Sequence, residues 1–265
     1  MSKLLQQYKH LNAIVAVPSD GWWTAAFGRD LAMMMLACQQ FKVGNYKTQH
    51  IDLYSITGSI LTKSRLVCLK QALKQDADYL LFIDTDQTFP RKTLHLLISR
   101  QVDAIGANIP IKRLPSQPTA RNKGATPRDW KTVYTDEGST GIEKVDRIGT
   151  GILLISKKVM QALAYDCFDM FYRADIDDVQ GEDWTLCNAI EDAGFPIYVD
   201  HDLSQEVGHV GLFEFKQDHI GEIVRQEDVG DTEPRKTSLV EALSGQFRSE
   251  GLDATSGSDL VRQGS

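Results

Sequence analysis

A chain of 265 residues suffices for one large domain with an appendage, and 42% hydrophobic with 25% charged residues is the composition of a folded globular protein, which excludes gross disorder. A net charge of -7 excludes a surface that attracts nucleic acid as a whole and leaves room only for a local basic patch. The N-terminal run MSKLLQQYKHLNAIVAV is too polar for a signal peptide or membrane span, and Cys38, Cys68, Cys167 and Cys187 lack CxxC spacing, so they read as buried free thiols of a cytoplasmic protein.

In chain order, Ala13 to Val17 predicts a strand and Pro18 to Gly21 a turn. Thr24 to Gln40 predicts a helix whose Met33 to Leu36 cluster packs in the core. Trp22 and Trp23 read as buried packing, with an acceptor platform or a membrane contact as alternatives. Thr48 to Ile56 predicts a second strand and Ser64 to Gln75 a helix. The unbroken apolar run Tyr79 to Ile83 then predicts a central parallel strand covered on both faces. Alternation of strands and helices predicts a single α/β domain with a mostly parallel central sheet flanked by helices.

Asp84 and Asp86 follow that run directly, where open α/β sheets place their ligands. Two carboxylates this close favour a shared cation, and oxygen ligands at a turn suit Mg2+ or Mn2+; a plain polar turn is the other reading. Arg91 to Arg100 predicts a helix and Val102 to Ile109 a strand, and Lys112 to Gly141 reads as a long loop or hairpin excursion. Its Lys112, Arg113, Arg121, Lys123, Arg128 and Lys131, with Trp130, are either a solvated loop or a site for a nucleic-acid backbone.

Val145 to Ser156 contains Gly149 and Gly151, which permit close backbone approach, ahead of a strand-like ILLI. Helices are expected over Lys157 to Leu163 and Gly181 to Ala193, the latter opening on Glu182 and Asp183, and Pro196 to Val199 gives a last strand. Residues 1–215 are expected to form the domain and 216–265 a weakly packed tail with one helical stretch around Ser238 to Phe247. Asp84, Asp86, Glu182, Asp183 and His209 in GHVG form a plausible set for a divalent cation and a general base, while helix-dipole complementarity alone would also explain Glu182 and Asp183.

The segments AVPSDG, ITGSILTKSRL, LLFIDTDQTF, IGANIPIKR, RIGTGILLI, GEDWTLCNAIEDAGFPIYVD and GHVGLFEF, in this order, resemble the GT-A class of nucleotide-sugar glycosyltransferases, in particular a branch of bacteria and their phages. The resemblance covers roughly Ala13 to Phe215 and implies a GT-A, Rossmann-like domain. It implies that Asp84-Thr85-Asp86 is the DxD motif, that Mn2+ or Mg2+ is held by Asp84, Asp86 and His209, and that Asp183, with Glu182 competing, deprotonates the acceptor hydroxyl in an inverting reaction. Pro18, Ser19 and Asp20 would flank the nucleotide base, and Arg65, Thr85 and Gly151 would face the donor, a UDP-sugar first among candidates. The chain departs from the family at Ser64-Arg65-Leu66, where Ala-Arg-Asn is frequent, so an asparagine contact is missing. The acceptor would be a glycan or a hydroxymethylated base of phage DNA. A non-catalytic nucleotide-sugar binder of the same fold and a nucleotidyltransferase are the competing readings.

Overall fold

The computed structural model describes residues 10–44, 46–126, 129–175, 177–211 and 213–220. In chain order these form β1 (His10–Ser19), α1 (Ala25–Gln40), β2 (Thr48–Thr57), α2 (Leu61–Lys74), β3 (Tyr79–Ile83), β4 (Gln87–Thr88), α3 (Thr93–Ser99) and β5 (Ala104–Gly106). There follow β6 (Arg121–Lys123), β7 (Trp130–Thr132), β8 (Ile142–Val145), β9 (Ile152–Ser156), α4 (Lys157–Ala162), β10 (Phe171–Arg173) and β11 (Asp178–Gln180). The series ends with α5 (Glu182–Asp192), β12 (Ile197–Asp200), α6 (His201–Ser204), β13 (Gly208–Val210) and β14 (Glu214–Phe215).

The central sheet has seven strands in the order β2-β1-β3-β9-β5-β12-β8. β2, β1, β3, β5 and β12 share one direction, while β9 and β8 run against their neighbours. The sheet is therefore mostly parallel, as its continuous apolar strands require: both faces are covered and alternate residues serve different layers. Ile14, Ala16, Leu80 and Phe82 join one apolar layer with Cys68, Leu69 and Ala72 of α2 and Leu186 and Ile190 of α5. Val15, Val17, Leu81 and Ile83 join the other with Phe27, Leu31 and Met34 of α1 and Leu94 and Leu97 of α3.

The same periodicity corrects the reading of Met33 to Leu36. Met34 turns fully inward, whereas Met33 and Leu36 lie on the solvent side of α1. Trp22 is likewise 81% exposed and not packed, and Trp23, whose ring meets Phe27 in a T-shaped contact at 5.1 Å, is still 42% exposed. The strand expected over Val102 to Ile109 shrinks to β5, because beyond Gly106 the chain leaves the sheet and Asn108 turns to bond Val133 O and Ala120 N. The long excursion carries a short hairpin, β6 with β7, and a second hairpin, β10 with β11, precedes α5.

A small sheet, β14-β13-β4, closes over the end of β3. The chain stays bonded to the domain beyond residue 215: Ser116 N donates to His219 O at 3.0 Å and Gln217 Nε2 to Asn108 O at 2.6 Å. Residues 221–265 of the expected tail, with its helical stretch, lie outside the described residues. Among the described residues no helix is long and apolar enough to cross a membrane, and all four cysteines are buried free thiols.

Candidate active site

The turn after β3 is held on three sides. Asp84 N donates to Gly151 O at 2.9 Å, Thr24 N to Thr85 O at 3.1 Å, and Val210 N to Asp86 O at 2.7 Å. Thr24 also caps α1, its side chain accepting from Phe27 N, so the start of that helix is tied to the same turn. With the backbone fixed in this way, the two carboxylates point to different partners.

Asp86 meets the C-terminal part of the fold. Pairing of β13 with β4 sets His209 opposite Gln87, which brings His209 Nε2 to 3.3 Å from Asp86 Oδ1. Gln87 Nε2 reaches the same oxygen at 3.3 Å, and Lys112 Nζ bonds Oδ2. Burial works to raise the Asp86 pKa, but the bonds from His209 and Lys112 outweigh it and hold the carboxyl down at about 2. Asp86 is thus an anion with cationic company at any ordinary pH.

Asp84 faces the other way. Both its oxygens lie 3.1 Å from Arg65 Nη2, while Arg65 Nη1 reaches Glu182 Oε1 at 2.8 Å and Asp183 Oδ1 at 2.9 Å. Arg65 is 1% exposed. Burial opposes its charge, yet Asp84, Asp183 and Glu182 together raise its pKa above the ordinary arginine value. Asp183 also accepts from Thr150 Oγ1, again on Oδ1. Desolvation raises the Asp183 pKa, with Glu182 and Asp84 adding to the rise and Arg65 and Thr150 opposing it. A carboxylate with an elevated pKa is suited to accepting a proton.

Asp84, expected as a metal ligand, has both oxygens bonded by Arg65, and Arg65, expected to face the donor, is enclosed by three carboxylates. Among the described residues no three His, Cys, Asp or Glu side chains gather as a metal-binding group. The pair Asp86 and His209 still fits a divalent cation, with one oxygen and one imidazole nitrogen adjacent. Beside them the buried Gln87 Oε1 lacks a hydrogen-bond partner.

The remaining expected residues fall as follows. Pro18 and Ser19 end β1, alongside Ile56 and Thr57 of β2, and Asp20 is exposed at the turn, where its Oδ1 accepts from Trp22 N at 3.0 Å. Gly151 carries the carbonyl that anchors Asp84, and a Cβ there would stand 2.9 Å from Ile109 Cδ1 and 3.1 Å from Gln87 Nε2. Thr150 and Gln87 are site residues that pattern reading did not assign, and Lys112, read as part of the basic loop, lies instead on Asp86. Thr150 and Gln87 lie inside the quoted segments RIGTGILLI and LLFIDTDQTF, the only signal available for them.

The basic excursion stays at the surface, with Lys112, Arg113, Lys123 and Lys131 exposed, but part of its charge is paired. Besides Lys112 on Asp86, Arg121 bonds the carbonyls of Pro118 and Ala120, and Lys123 bonds Glu191. Trp130 rests on Trp184 with ring centroids 4.7 Å apart, and Arg147 lies over its ring at 5.1 Å. Arg128 lies outside the described residues.

No protein-family model matches the chain, and no curated protein does. Among solved structures the chain is similar to A197 from STIV, at 16% identity and TM-score 0.48 over 82% of this chain and 100% of that one. It is similar to S. aureus TarS 1–349 in complex with UDP-GlcNAc, at 14% identity and TM-score 0.40 over 72% of this chain and 56% of that one. It is also similar to a glycosyltransferase involved in the glycosylation of the major capsid of PBCV-1, at 11% identity and TM-score 0.31 over 57% and 62%.

Proposed function

We propose that this protein is a metal-dependent, inverting glycosyltransferase that moves a sugar from a nucleoside-diphosphate donor, a UDP-sugar first among candidates, to a hydroxyl acceptor. The observation that carries this reading is the meeting of Asp86 and His209 at the tip of a central strand, 3.3 Å apart. A divalent cation bound there would supply a Lewis acid at the diphosphate. His209 Nδ1 is 3.0 Å from the Pro110 carbonyl, which only accepts, so Nδ1 carries a proton and Nε2 is the nitrogen that would ligate a cation bound beside Asp86. Lys112, beside them, adds a positive charge for the donor's phosphates.

On the acceptor side Asp183 serves as base. Of the two acidic residues opening α5, its side chain is the more open, 35% exposed against 17% for Glu182. The hydrogen bonds from Arg65 and Thr150 both fall on Oδ1, which leaves Oδ2 to take the hydroxyl proton. The acceptor oxygen then bonds the anomeric carbon from one face. The bond to the diphosphate oxygen breaks on the other, and its electron pair leaves with the nucleoside diphosphate.

The surroundings of the base favour an uncharged acceptor such as a glycan over DNA. The hairpin leading into α5 carries Asp175, Asp177 and Asp178 together with the exposed rings of Phe171 and Tyr172, a surface that repels polyanions and suits the faces of sugar rings. The test is a panel of UDP- and GDP-sugars with Mn2+, in wild type and Asp86→Asn. Release of nucleoside diphosphate from one donor, lost in the variant, is expected. Release of sugar 1-phosphate from these donors, or of pyrophosphate when a nucleoside triphosphate replaces them, would point to nucleotidyl transfer, and nucleotide binding without release under any acceptor would point to a non-catalytic binder.

A further inference from the structure

Arg65 is the largest fully buried side chain of the protein's described residues, and it is charged. Its guanidinium joins elements distant in sequence: α2, which carries it, the tip of β3 through Asp84, and the first turn of α5 through Glu182 and Asp183. We propose that Arg65 is a positioning residue, a buried clamp that fixes Asp183 against the strand tip, and that Asp84 serves this clamp and not the cation at Asp86. The inference rests on the reading of Asp183 as the base.

Three features carry it. A side chain only 1% exposed presents no surface to a donor, and its Nη1 and Nη2 are both engaged by carboxylates. The bonding is divided, one terminal nitrogen to β3 and the other to α5, a planar fork that a lysine ammonium cannot reproduce. Finally, the clamp is asymmetric in its result. Arg65 Nη1 and Thr150 Oγ1 converge on one oxygen of Asp183, so the carboxylate is held by Oδ1 and Oδ2 takes part in neither bond. Stability alone does not require three carboxylates around one guanidinium. Aiming one of them does require fixed partners on both sides.

The test uses the full chain as Arg65→Lys, Arg65→Gln and Asp84→Asn, with thermal melting to establish folding. UDP affinity is measured by calorimetry with Mn2+, and kcat for transfer is measured with the donor that wild type uses. UDP affinity within twofold of wild type is expected in all three. A kcat loss of tenfold or more is expected in Asp84→Asn and Arg65→Lys, with a further loss in Arg65→Gln, where the charge is gone. If the buried arginine variants fail to fold, Asp84→Asn decides, since an asparagine preserves shape and still offers Arg65 an acceptor. Loss of Mn2+-dependent UDP binding in Asp84→Asn, as in Asp86→Asn, would make Asp84 a metal ligand and overturn the inference. So would an Arg65→Lys defect that lies in UDP affinity instead of kcat. Wild-type protein that binds UDP but releases no nucleoside diphosphate from any donor would instead sink the sugar-transfer reading itself.

Discussion

His209 Nε2 stands 3.3 Å from Asp86 Oδ1, with the far side of the imidazole anchored on the Pro110 carbonyl at 3.0 Å. On the proposed function the two side chains would hold one cation together, so removal of either should remove the same function. Asp86→Asn and His209→Ala are each expected to weaken Mn2+-dependent UDP binding by at least about tenfold, and the double variant to lose little more. Calorimetry with and without chelator checks this; additive losses would mean that the residues bind independently.

Acid should expose the Asp86 pairings. Its folded pKa of about 2 lies below the ordinary 3.8, so its contribution to stability is complete above about pH 4 and fades as pH falls towards 2. At about 1.4 kcal/mol per unit, the difference amounts to about 2 kcal/mol. Urea denaturation at pH 5 and pH 2 should show this loss in wild type and a smaller one in Asp86→Asn.

Asp183→Asn should lower kcat by about 10² to 10⁴ while sparing UDP binding. Because burial raises the Asp183 pKa, the wild-type rate should fall on the acid side at a higher pH than an ordinary aspartate would give. A pH profile of kcat for wild type and Asp183→Glu locates that limb. An acid limb that stays in place in Asp183→Glu would exclude Asp183 as the base.

Gly106 pairs with Leu153 in the sheet, and a Cβ on it would stand 2.5 Å from the Ile152 carbonyl oxygen and 3.2 Å from Ile148 Cδ1. Gly106→Ala is expected to cost about 1–3 kcal/mol, since the nearest atom is backbone and cannot swing aside. Chemical denaturation measures it, and an unchanged midpoint would show that β5 shifts freely.

An uncharged acceptor predicts indifference to salt. Transfer to a neutral glycan should vary less than twofold between 50 and 200 mM salt, and the protein should not be retained on duplex DNA. Salt-sensitive retention on DNA, lost when Arg113 and Lys131 become Gln, would restore the nucleic-acid acceptor.

The sheet was legible in the chain because β3 and β1 are apolar without alternation, and only a strand covered on both faces tolerates that. β9 runs antiparallel between β3 and β5, and its direction was not readable, because an ILLI run is the same in either sense. The β6–β7 hairpin falls in the stretch read as a loop or hairpin excursion, whereas β10–β11, too short to carry a period, was missed. At the site, residue type and resemblance singled out Asp86, His209 and Asp183, and the fold sets His209 beside Asp86 and Asp183 beside Arg65. That Asp84 bonds Arg65 was not legible, since two carboxylates one residue apart look alike until the turn between them fixes their aim. Thr150 offered no sign of its own.

The cation pair draws one residue from the middle of the domain and the other from β13, near the end of the described chain. During synthesis from the N-terminus, β3 and its aspartates leave the ribosome long before His209 does. The Asp86 carboxylate must therefore wait, with Lys112 available to it first. On the function proposed above, affinity for a cation would be acquired only when β13 docks on β4, so the nascent chain would lack the Asp86–His209 pair until nearly all of this domain has been made.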